Sequence, residues 1–362
     1  MTFFEHHEFN DHEQVLYVSQ PAAGLKAIIA LHSTQLGPAL GGCRMYPYVN
    51  SSDALTDVLR LSRGMTYKSA LAGLPLGGGK SVIIGDPRHQ KTPQLFHALG
   101  EVVEQLGGKY VIAEDSGTSP IDMHRIAQVT RYVAGIEDNV HGGDPSPATA
   151  RGVFEGIKAG LKVADNTDNM HGVRVAIQGL GNVGFNLAGL LNAAGATIFG
   201  HDLHAPNLER AVRVHGVIPV TGEEILALNV DVFAPCALGG VLTAETIASL
   251  KARIVAGAAN NQLAGPNDDD RLAERGIIYC PDFAINAGGI IEVFHQRHAA
   301  PIAVREEALL AIGQTVESII RRAQRANLGT QRVAMDLAKQ RIKTGASQTS
   351  INENQPTSCR VA

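Results

Sequence analysis

The sequence has few of the features that mark metal-binding, secreted and membrane proteins. Its four cysteines (Cys43, Cys236, Cys280 and Cys359) are scattered, with no CxxC pair and no metal-ligand spacing. This favours small buried residues in a reducing compartment over disulfides or a metal site. The first residues are acidic and lack a basic, apolar leader, so no signal peptide is expected. No apolar run approaches membrane-spanning length. We therefore expect a cytoplasmic protein with no metal and no membrane partner.

Excess charge of either sign is also missing. Charged residues make up 18% of the 362 residues, and the formal net charge is −4. Nothing in this balance attracts nucleic acid or an anionic membrane. Hydrophobic residues make up 44%, which is typical of a globular chain, and the length is sufficient for two domains. The expected partner is therefore a small molecule.

A complete phosphate loop is lacking too, although Leu74–Ser81 (LPLGGGKS) comes close to one. The glycine that such a loop requires falls on Leu74, and Pro75 removes a backbone donor. A P-loop phosphotransferase is therefore disfavoured. We interpret Gly77–Gly79 as a segment where backbone comes close to a small ligand while Lys80 projects into a pocket.

The first third of the chain reads as a mixed α/β unit. Val15–Val18 and Lys26–Leu31 are apolar runs that predict a hairpin. Helices are predicted from Ser52, from Pro93 to Gly107, and from Pro120. Tyr110–Ala113 is predicted as a strand.

From Val173 onward the pattern changes to regular β–α alternation, which is typical of a parallel, doubly wound sheet. We expect an N-terminal mixed α/β substrate and oligomerisation domain at 1–140, completed by about 330–345. A Rossmann-type dinucleotide-binding domain is expected at 145–328, after a linker at Gly142–Pro147. The polar residues 346–362 are predicted to form a disordered tail. The strands predicted in the second domain are Val173–Gln178, Thr197–Gly200, Val230–Ala234, Arg253–Ala256 and Ile277–Tyr279.

A dinucleotide fingerprint follows the first of these strands. Gly179-Leu180-Gly181-Asn182-Val183-Gly184 opens a predicted helix, and Asp202 ends the next strand. The glycines allow a tight turn and bring a pyrophosphate to the helix N-terminus. Asp202 is placed to bind the adenosine ribose and to repel a 2′-phosphate, which favours NAD over NADP, although the nearby Arg210 and Arg213 weaken that preference.

Three residues of the first domain are candidates for chemistry: Lys68, Lys80 and Asp115. Two lysines converging on one cleft favour the neutral amine of one of them, which can then act as a general base. A carboxylate beside them can relay the proton. Each residue alone is as well explained by an ordinary surface or capping role, but together with the dinucleotide fingerprint they indicate an enzyme.

Eight short motifs follow one another along the chain: Leu40–Met45, Arg63–Lys68, Gly77–Lys80, Glu114–Thr118, Pro145–Thr149, Gly179–Gly184, Ala258–Gln262 and Asn286–Gly289. In this order they resemble the motifs of the glutamate/leucine/phenylalanine/valine dehydrogenases, and most of all those of the leucine dehydrogenases of that family. The similarity covers about residues 12 to 343. One departure is Ser116, where the family pattern has valine beside the acidic pair.

The resemblance implies reversible, NAD-dependent oxidative deamination of an L-amino acid to a 2-oxo acid and ammonia. Lys68 would bind the substrate carboxylate, Lys80 would activate water and polarise the carbonyl oxygen, and Asp115 would shuttle protons. Asn261 would contact both substrate and nicotinamide, and Thr149 the nicotinamide amide. The resemblance also implies an oligomer. The remaining implied contacts are Gly41 and Met65 for the substrate and Ala237 for the cofactor.

The substrate side chain is expected to be apolar. Glutamate-specific relatives carry a lysine and a serine at the positions of Leu40 and Val293, and here both are apolar. A distal carboxylate would therefore be buried without a partner. With Ala113 and Ile290, these residues suggest a wall suited to leucine, valine or isoleucine. Phenylalanine or tryptophan remains an alternative, as does a non-catalytic NAD-binding regulator.

Overall fold

The computed structural model describes residues 3–136, 144–237 and 239–353 of the chain. The protein forms two compact units, one of residues 1–143 with 338–362 and the other of residues 144–337. The glycines of the predicted linker, Gly142 and Gly143, lie outside the described residues. None of the described helices is both long and apolar enough to cross a membrane.

The first unit is a five-stranded mixed sheet with helices on both faces. The strand order is β1-β2-β4-β3-β5, with β1, β2 and β4 antiparallel in turn and β4, β3 and β5 parallel. The predicted hairpin and all three predicted helices are confirmed. The strands are β1 Gln14–Gln20, β2 Leu25–Ser33, β3 Ala39–Tyr46, β4 Gly77–Ile84 and β5 Tyr110–Glu114, and the helices are α1 Ser51–Leu71, α2 Pro93–Gln105 and α3 Pro120–Ala127.

The two faces of this sheet have separate cores. One core joins the strands to α2 and α3, where Phe96, Leu99 and Val103 are fully buried. On the other face, Ala54, Val58 and Leu59 of α1 pack against residues of β2 and β4. Burial of apolar area on both faces stabilises the central strands at roughly 25 cal/mol per Å². The strands β4, β3 and β5 are consequently a rigid platform for their polar side chains.

The glycine run belongs to β4, and at two of its positions an added Cβ would meet neighbouring backbone. A Cβ on Gly78 would lie 2.1 Å from the Thr66 backbone nitrogen, and one on Gly77 would lie 2.0 Å from the Ser33 carbonyl oxygen. The space beside the run is therefore filled by helix α1 and strand β2. Glycine is required because helix and strand backbones pack in direct contact.

The second unit is a six-stranded, all-parallel sheet in the order β11-β10-β9-β6-β7-β8, as expected for a doubly wound fold. The five predicted strands are confirmed, and β8 is an additional two-residue edge strand. The strands are β6 Arg174–Gln178, β7 Thr197–His201, β8 Ile218–Pro219, β9 Val232–Pro235, β10 Ile254–Val255 and β11 Ile278–Tyr279. The helices are α4 Ser146–Asp165, α5 Asn182–Ala193, α6 Ala205–His215, α7 Glu224–Ala227, α8 Ala244–Ser249, α9 Asp268–Glu274, α10 Asp282–Ile285, α11 Gly288–Arg297 and α12 Ile302–Ala326.

A long helix ends the described part of the chain. Helix α13 spans Thr330–Glu353 and therefore includes the first eight residues of the tail predicted to be disordered at 346–362. Extending an existing helix costs far less than starting one, and residues 346–353, which follow Gly345 in the helix, contain neither glycine nor proline. Residues 354–362 lie outside the described residues.

Candidate active site

Lys80 and Asp115 meet across the middle of the first sheet. Lys80 lies on β4 and Asp115 directly follows β5, with β3 between the two strands. The Lys80 Nζ contacts the Asp115 Oδ2, and Lys80 is only 6% exposed. On β3, a Cβ at Gly42 would lie 2.7 Å from the Asp115 Cβ and 3.3 Å from the Lys80 Nζ. The lysine reaches the carboxylate because the intervening strand carries no side chain at that point.

The turn after β5 is fixed by Thr118. Its hydroxyl accepts a hydrogen bond from the Asp115 backbone N–H at 3.0 Å and donates to the Cys43 carbonyl at 2.8 Å. Gly117 in the same turn has a φ of +83°, and a Cβ there would lie 2.0 Å from the Met45 carbonyl oxygen. The turn is therefore joined to β3, which limits the freedom of Asp115 to its own side chain.

The Asp115 carboxylate is ionised at neutral pH. Burial raises its pKa, but the adjacent Lys80 and Arg44 cations outweigh burial and lower it to about 2. The Ser116 backbone N–H also donates to this carboxylate. Ser116 itself is exposed, and its backbone rather than its hydroxyl contributes to the site.

Arg44 is a part of the site that the sequence did not predict. Its Nε lies 3.4 Å from the Asp115 Oδ2, and its Nη1 donates to the Asp57 Oδ2 at 2.9 Å. The Tyr48 hydroxyl donates to the same Asp57 oxygen at 2.6 Å. Alternate residues of a strand share a face, so Gly42 and Arg44 lie together. That alternation is the signal that could have found Arg44, had β3 been predicted.

The other residues assigned to the substrate lie on neighbouring elements of the same unit. Met65 and Lys68 are half-buried and one turn apart on α1. Leu40 is buried on β3, and Ala113 is half-buried on β5. Gly41 accepts a hydrogen bond from the Tyr110 hydroxyl at its carbonyl oxygen, at 2.9 Å.

The glycine-rich loop of the second unit has the geometry of a dinucleotide loop. Gly179 has a φ of +97° and touches Ala237, since a Cβ there would lie 2.7 Å from the Ala237 Cβ. Gly184 packs on the Gly179 carbonyl oxygen, which a Cβ would approach to 2.0 Å. Gly181 is the N-cap of α5, has no side chain to cap it, and faces open space. Asn182 and Val183 begin the helix. Its first backbone N–H groups are therefore directed at the space where an anion binds.

Asp202 lies beside this loop, immediately after β7. Its carboxylate accepts from the Leu180 backbone N–H at 2.6 Å and from the His204 backbone N–H at 2.7 Å. The guanidinium of Arg210 lies 3.5 Å from the centre of the Phe185 ring, in a cation–π contact. Arg210 therefore already packs on an aromatic ring of its own unit. This makes Arg210 a weaker candidate for binding a 2′-phosphate.

The remaining predicted residues belong to the second unit. The Thr149 hydroxyl donates to the Pro145 carbonyl at 3.0 Å. A Cβ on Gly289 would lie 2.8 Å from the Thr149 Oγ1. Asn261 is exposed and has a φ of +53°, a conformation that asparagine tolerates better than most residues. Ile290 and Val293 lie one turn apart on α11. Leu40 and Ala113, the other two residues of the predicted wall, belong to the first unit.

The described residues include three free cysteines and no cluster of side chains that could hold a metal ion. Burial raises the pKa of Cys43, Cys236 and Cys280 to about 12 in each case, and all three are free. Cys359 lies outside the described residues. No group of three or more histidine, cysteine or acidic residues in the described part of the chain could hold a metal ion.

Comparison with known proteins agrees with this architecture. A family model described as the Glu/Leu/Phe/Val dehydrogenase dimerisation domain matches residues 12–132. A second, described as Glutamate/Leucine/Phenylalanine/Valine dehydrogenase, matches residues 143–202 and 205–299, which include the glycine-rich loop. The second unit is thus the dinucleotide-binding domain of a dehydrogenase.

Individual relatives extend over almost the whole chain. Leucine dehydrogenase of Geobacillus stearothermophilus is 46% identical, with 95% of this chain and 94% of that protein covered. The crystal structure of L-tryptophan dehydrogenase from Nostoc punctiforme is similar with a TM-score of 0.81 at 42% identity, covering 92% of this chain and 97% of that one. A hetero-hexameric glutamate dehydrogenase from Thermus thermophilus shares the fold, with a TM-score of 0.76 at 22% identity, covering 95% and 91% of the two chains. The chain belongs to the glutamate/leucine/phenylalanine/valine dehydrogenase family.

Proposed function

We propose that this protein is an NAD-dependent L-amino-acid dehydrogenase that converts a branched-chain amino acid, water and NAD into the 2-oxo acid, ammonia and NADH, reversibly. The observation that carries the proposal is the buried Lys80–Asp115 pair on the central strands of the first unit. It is supported by the 46% identity to a leucine dehydrogenase.

The second unit fits an NAD molecule. The open N-cap at Gly181, the left-handed turn at Gly179 and the carboxylate at Asp202 match the pyrophosphate and ribose requirements of a dinucleotide. When bound, the nicotinamide supplies the acceptor for the hydride that leaves the substrate Cα. Thr149 and Asn261 would orient it.

The chemistry on the substrate is assigned to the first unit. Lys68 binds the substrate carboxylate as a point charge, with Gly41 and Met65 beside it. Lys80 removes a proton from the water that attacks the imino carbon, and its Nζ then donates to the new oxygen. Asp115 takes up and returns protons at its carboxylate. Burial of Lys80 excludes bulk water from this exchange, which strengthens each electrostatic contact.

An apolar substrate is supported by the residues assigned to its side chain. Leu40, Ala113, Ile290 and Val293 bring no charge and no amide, so a glutamate side chain would lose its hydration without gaining a partner. We also propose a homo-oligomer, because the family model that matches residues 12–132 is described as a dimerisation domain.

The proposal is tested by NADH absorbance with purified protein and a panel of leucine, isoleucine, valine, phenylalanine, tryptophan and glutamate. We expect kcat/KM to be highest for a branched-chain substrate and lowest for glutamate. Ala113→Gly should raise the relative kcat/KM for phenylalanine, because the wall loses a methyl group. A wild-type preference for phenylalanine or tryptophan would replace the branched-chain substrate by an aromatic one. The 42% identity to a tryptophan dehydrogenase is compatible with that alternative. No NADH with any amino acid would indicate a non-catalytic NAD-binding protein.

A further inference from the structure

Two cations converge on one carboxylate oxygen at this site. The Nζ of Lys80 and the Nε of Arg44 both face the Asp115 Oδ2, the lysine in direct contact and the arginine at 3.4 Å. The Arg44 Nε is buried, and within the described residues it forms no hydrogen bond of standard geometry. Arg44 is therefore placed to share the negative charge of Asp115 with Lys80, without displacing Lys80.

The position of Arg44 is fixed from its other side. Asp57, on α1, accepts from the Arg44 Nη1 at 2.9 Å and from the Tyr48 hydroxyl at 2.6 Å. The side chains of Arg44 and Asp57 are each about one-quarter exposed. A planar guanidinium can bond one carboxylate through Nη1 while its Nε faces another, which a lysine ammonium cannot reproduce with the same geometry.

An arginine in this position weakens the electrostatic attraction between the Asp115 carboxylate and the protonated Lys80 amine. A carboxylate beside an ammonium group stabilises the charged amine, whereas a second cation destabilises it. A general base must be neutral to accept a proton from water, so any group that weakens the Lys80–Asp115 attraction brings activity to lower pH.

We propose that Arg44 is a positioning residue that shares the Asp115 carboxylate with Lys80, so that Lys80 becomes a competent base at a lower pH than it would beside Asp115 alone. The inference rests on the proposed function and assigns a role to a residue that the resemblance gives to neither substrate nor cofactor.

Three other titratable side chains near Asp115 have pKa values raised by burial. Burial raises the pKa of Cys43 to about 12 and raises that of Tyr110 well above its ordinary value. Burial and the bond to Asp57 also raise the pKa of Tyr48. Asp122 on α3 is buried and paired with Lys91 and Arg125. Asp57 faces Arg44 from α1, and the neighbouring Glu114 is exposed.

The test is the pH profile of kcat/KM for leucine deamination, from pH 6 to 11, for the wild type and four variants. In the wild type, kcat/KM should rise toward alkaline pH, and this rising limb is the quantity compared. Arg44→Gln should shift the limb to higher pH by about one unit, which is the lower end of the effect of a charge within 4–6 Å. Arg44→Lys should recover part of the shift. Asp57→Asn retains Arg44 and removes the charge of its second carboxylate partner. The rising limb of this variant should therefore lie at the same pH as that of the wild type or at a lower pH.

The matched control is Arg253→Gln. Arg253 also bridges two aspartates, Asp165 and Asp231, but lies in the second unit, so its limb should not move. An Arg44→Gln variant that is slower but has an unmoved limb would overturn the inference, and so would an equal shift in Arg253→Gln. If Arg44→Gln does not fold, an upward shift in Asp57→Asn overturns the inference, and a limb at or below wild type supports it. A wild type without deaminating activity would overturn the proposed function, and this inference with it.

Discussion

Asp202 shows how a single side chain can serve the backbone and a cofactor together. In the folded chain it accepts from two backbone N–H groups, those of Leu180 and His204. Hydrogen bonds to a charged acceptor contribute about 1.5–3 kcal/mol each. A substitution that removes the acceptor would therefore damage the glycine-rich loop itself, and a change of cofactor preference could not be separated from that damage.

Asp202→Asn keeps the shape of the side chain and one of its two acceptor oxygens, so it removes the charge and loses one of the two backbone hydrogen bonds. We expect the wild type to prefer NAD, and the variant to narrow the ratio of kcat/KM for NAD to that for NADP, because repulsion of the 2′-phosphate is relieved. Kinetics with both cofactors measure this. Equal use of the two cofactors by the wild type would contradict the prediction.

Lys80, Asp115 and the fingerprint glycines could be predicted as candidates because their neighbours in sequence mark them. Arg44 and Thr118 could not, since their importance depends on long-range contacts. Arg44 matters through an oxygen 71 positions away, and Thr118 through the carbonyl of Cys43. Such contacts become visible only when the register of β3 with β5 is known.

Among the elements, α1 and β4 pack in direct backbone contact near the site. This contact brings the helix that carries Lys68 against the strand that carries Lys80. Gly78→Ala should destabilise the first unit by about 1–3 kcal/mol, since the added Cβ meets helix backbone and α1 must shift. It should also reduce kcat/KM.

The matched control is Gly64→Ala, in the interior of the same helix. A Cβ there meets nothing within 4 Å, so we expect a gain of up to about 1 kcal/mol from helix propensity. Urea unfolding followed by far-UV circular dichroism compares the two. Equal effects of both variants would show that the helix and strand can separate without cost.

A second contact joins α1 to β2 through His32, which is hydrogen-bonded to the Thr66 hydroxyl at 2.9 Å and packs edge-on against the His12 ring. Burial, with help from His12 and Arg63, lowers the pKa of His32 from 6.5 to about 3. Below pH 6.5 the unfolded chain thus takes up a proton that the folded chain does not. Stability should therefore fall by up to about 1.4 kcal/mol per pH unit between pH 6.5 and 3.

His32→Gln removes this titration from both states and should give a shallower loss of stability on going from pH 7.5 to 5. Chemical unfolding at several pH values measures the slopes. His124→Gln, at an exposed position on α3, should keep the wild-type slope. Parallel slopes for His32→Gln and wild type would rule out the assignment.

The pattern of the elements explains which ones the sequence predicted. Apolar runs with clear caps, such as the one that begins at Thr92 and Pro93, gave confirmed helices. Strands β3 and β4 were not predicted, because glycines interrupt their apolar pattern. The glycines are there because neighbouring backbone replaces side chains, and the sequence does not show which backbone that is.

At the scale of the molecule, the chemistry and the cofactor are assigned to different units. Lys80→Ala should therefore leave NAD binding nearly unchanged while lowering kcat by about 10²–10⁴-fold or more, as for other general bases. Calorimetric titration with NAD and steady-state kinetics separate the two effects. Retention of more than roughly a tenth of wild-type kcat would be incompatible with the role of Lys80 as base.

The whole-molecule architecture could be predicted to a large extent, because β–α alternation and one fingerprint define a doubly wound unit. The C-terminal helix shows the limit of that reasoning. A polar composition predicted disorder from residue 346, while the helix continues to Glu353.

The glycine contacts of β3 and β4 also have a consequence for the evolution of substrate range. A Cβ at Gly41, Gly42 or Gly78 would collide with neighbouring main chain or with Asp115. Substitutions at these positions cost stability, so selection has little usable variation there. Leu40 on β3 and Ala113 on the adjacent strand β5 already carry side chains and can exchange them. A library aimed at new substrates is best concentrated on these two positions, while the glycines between them stay constant.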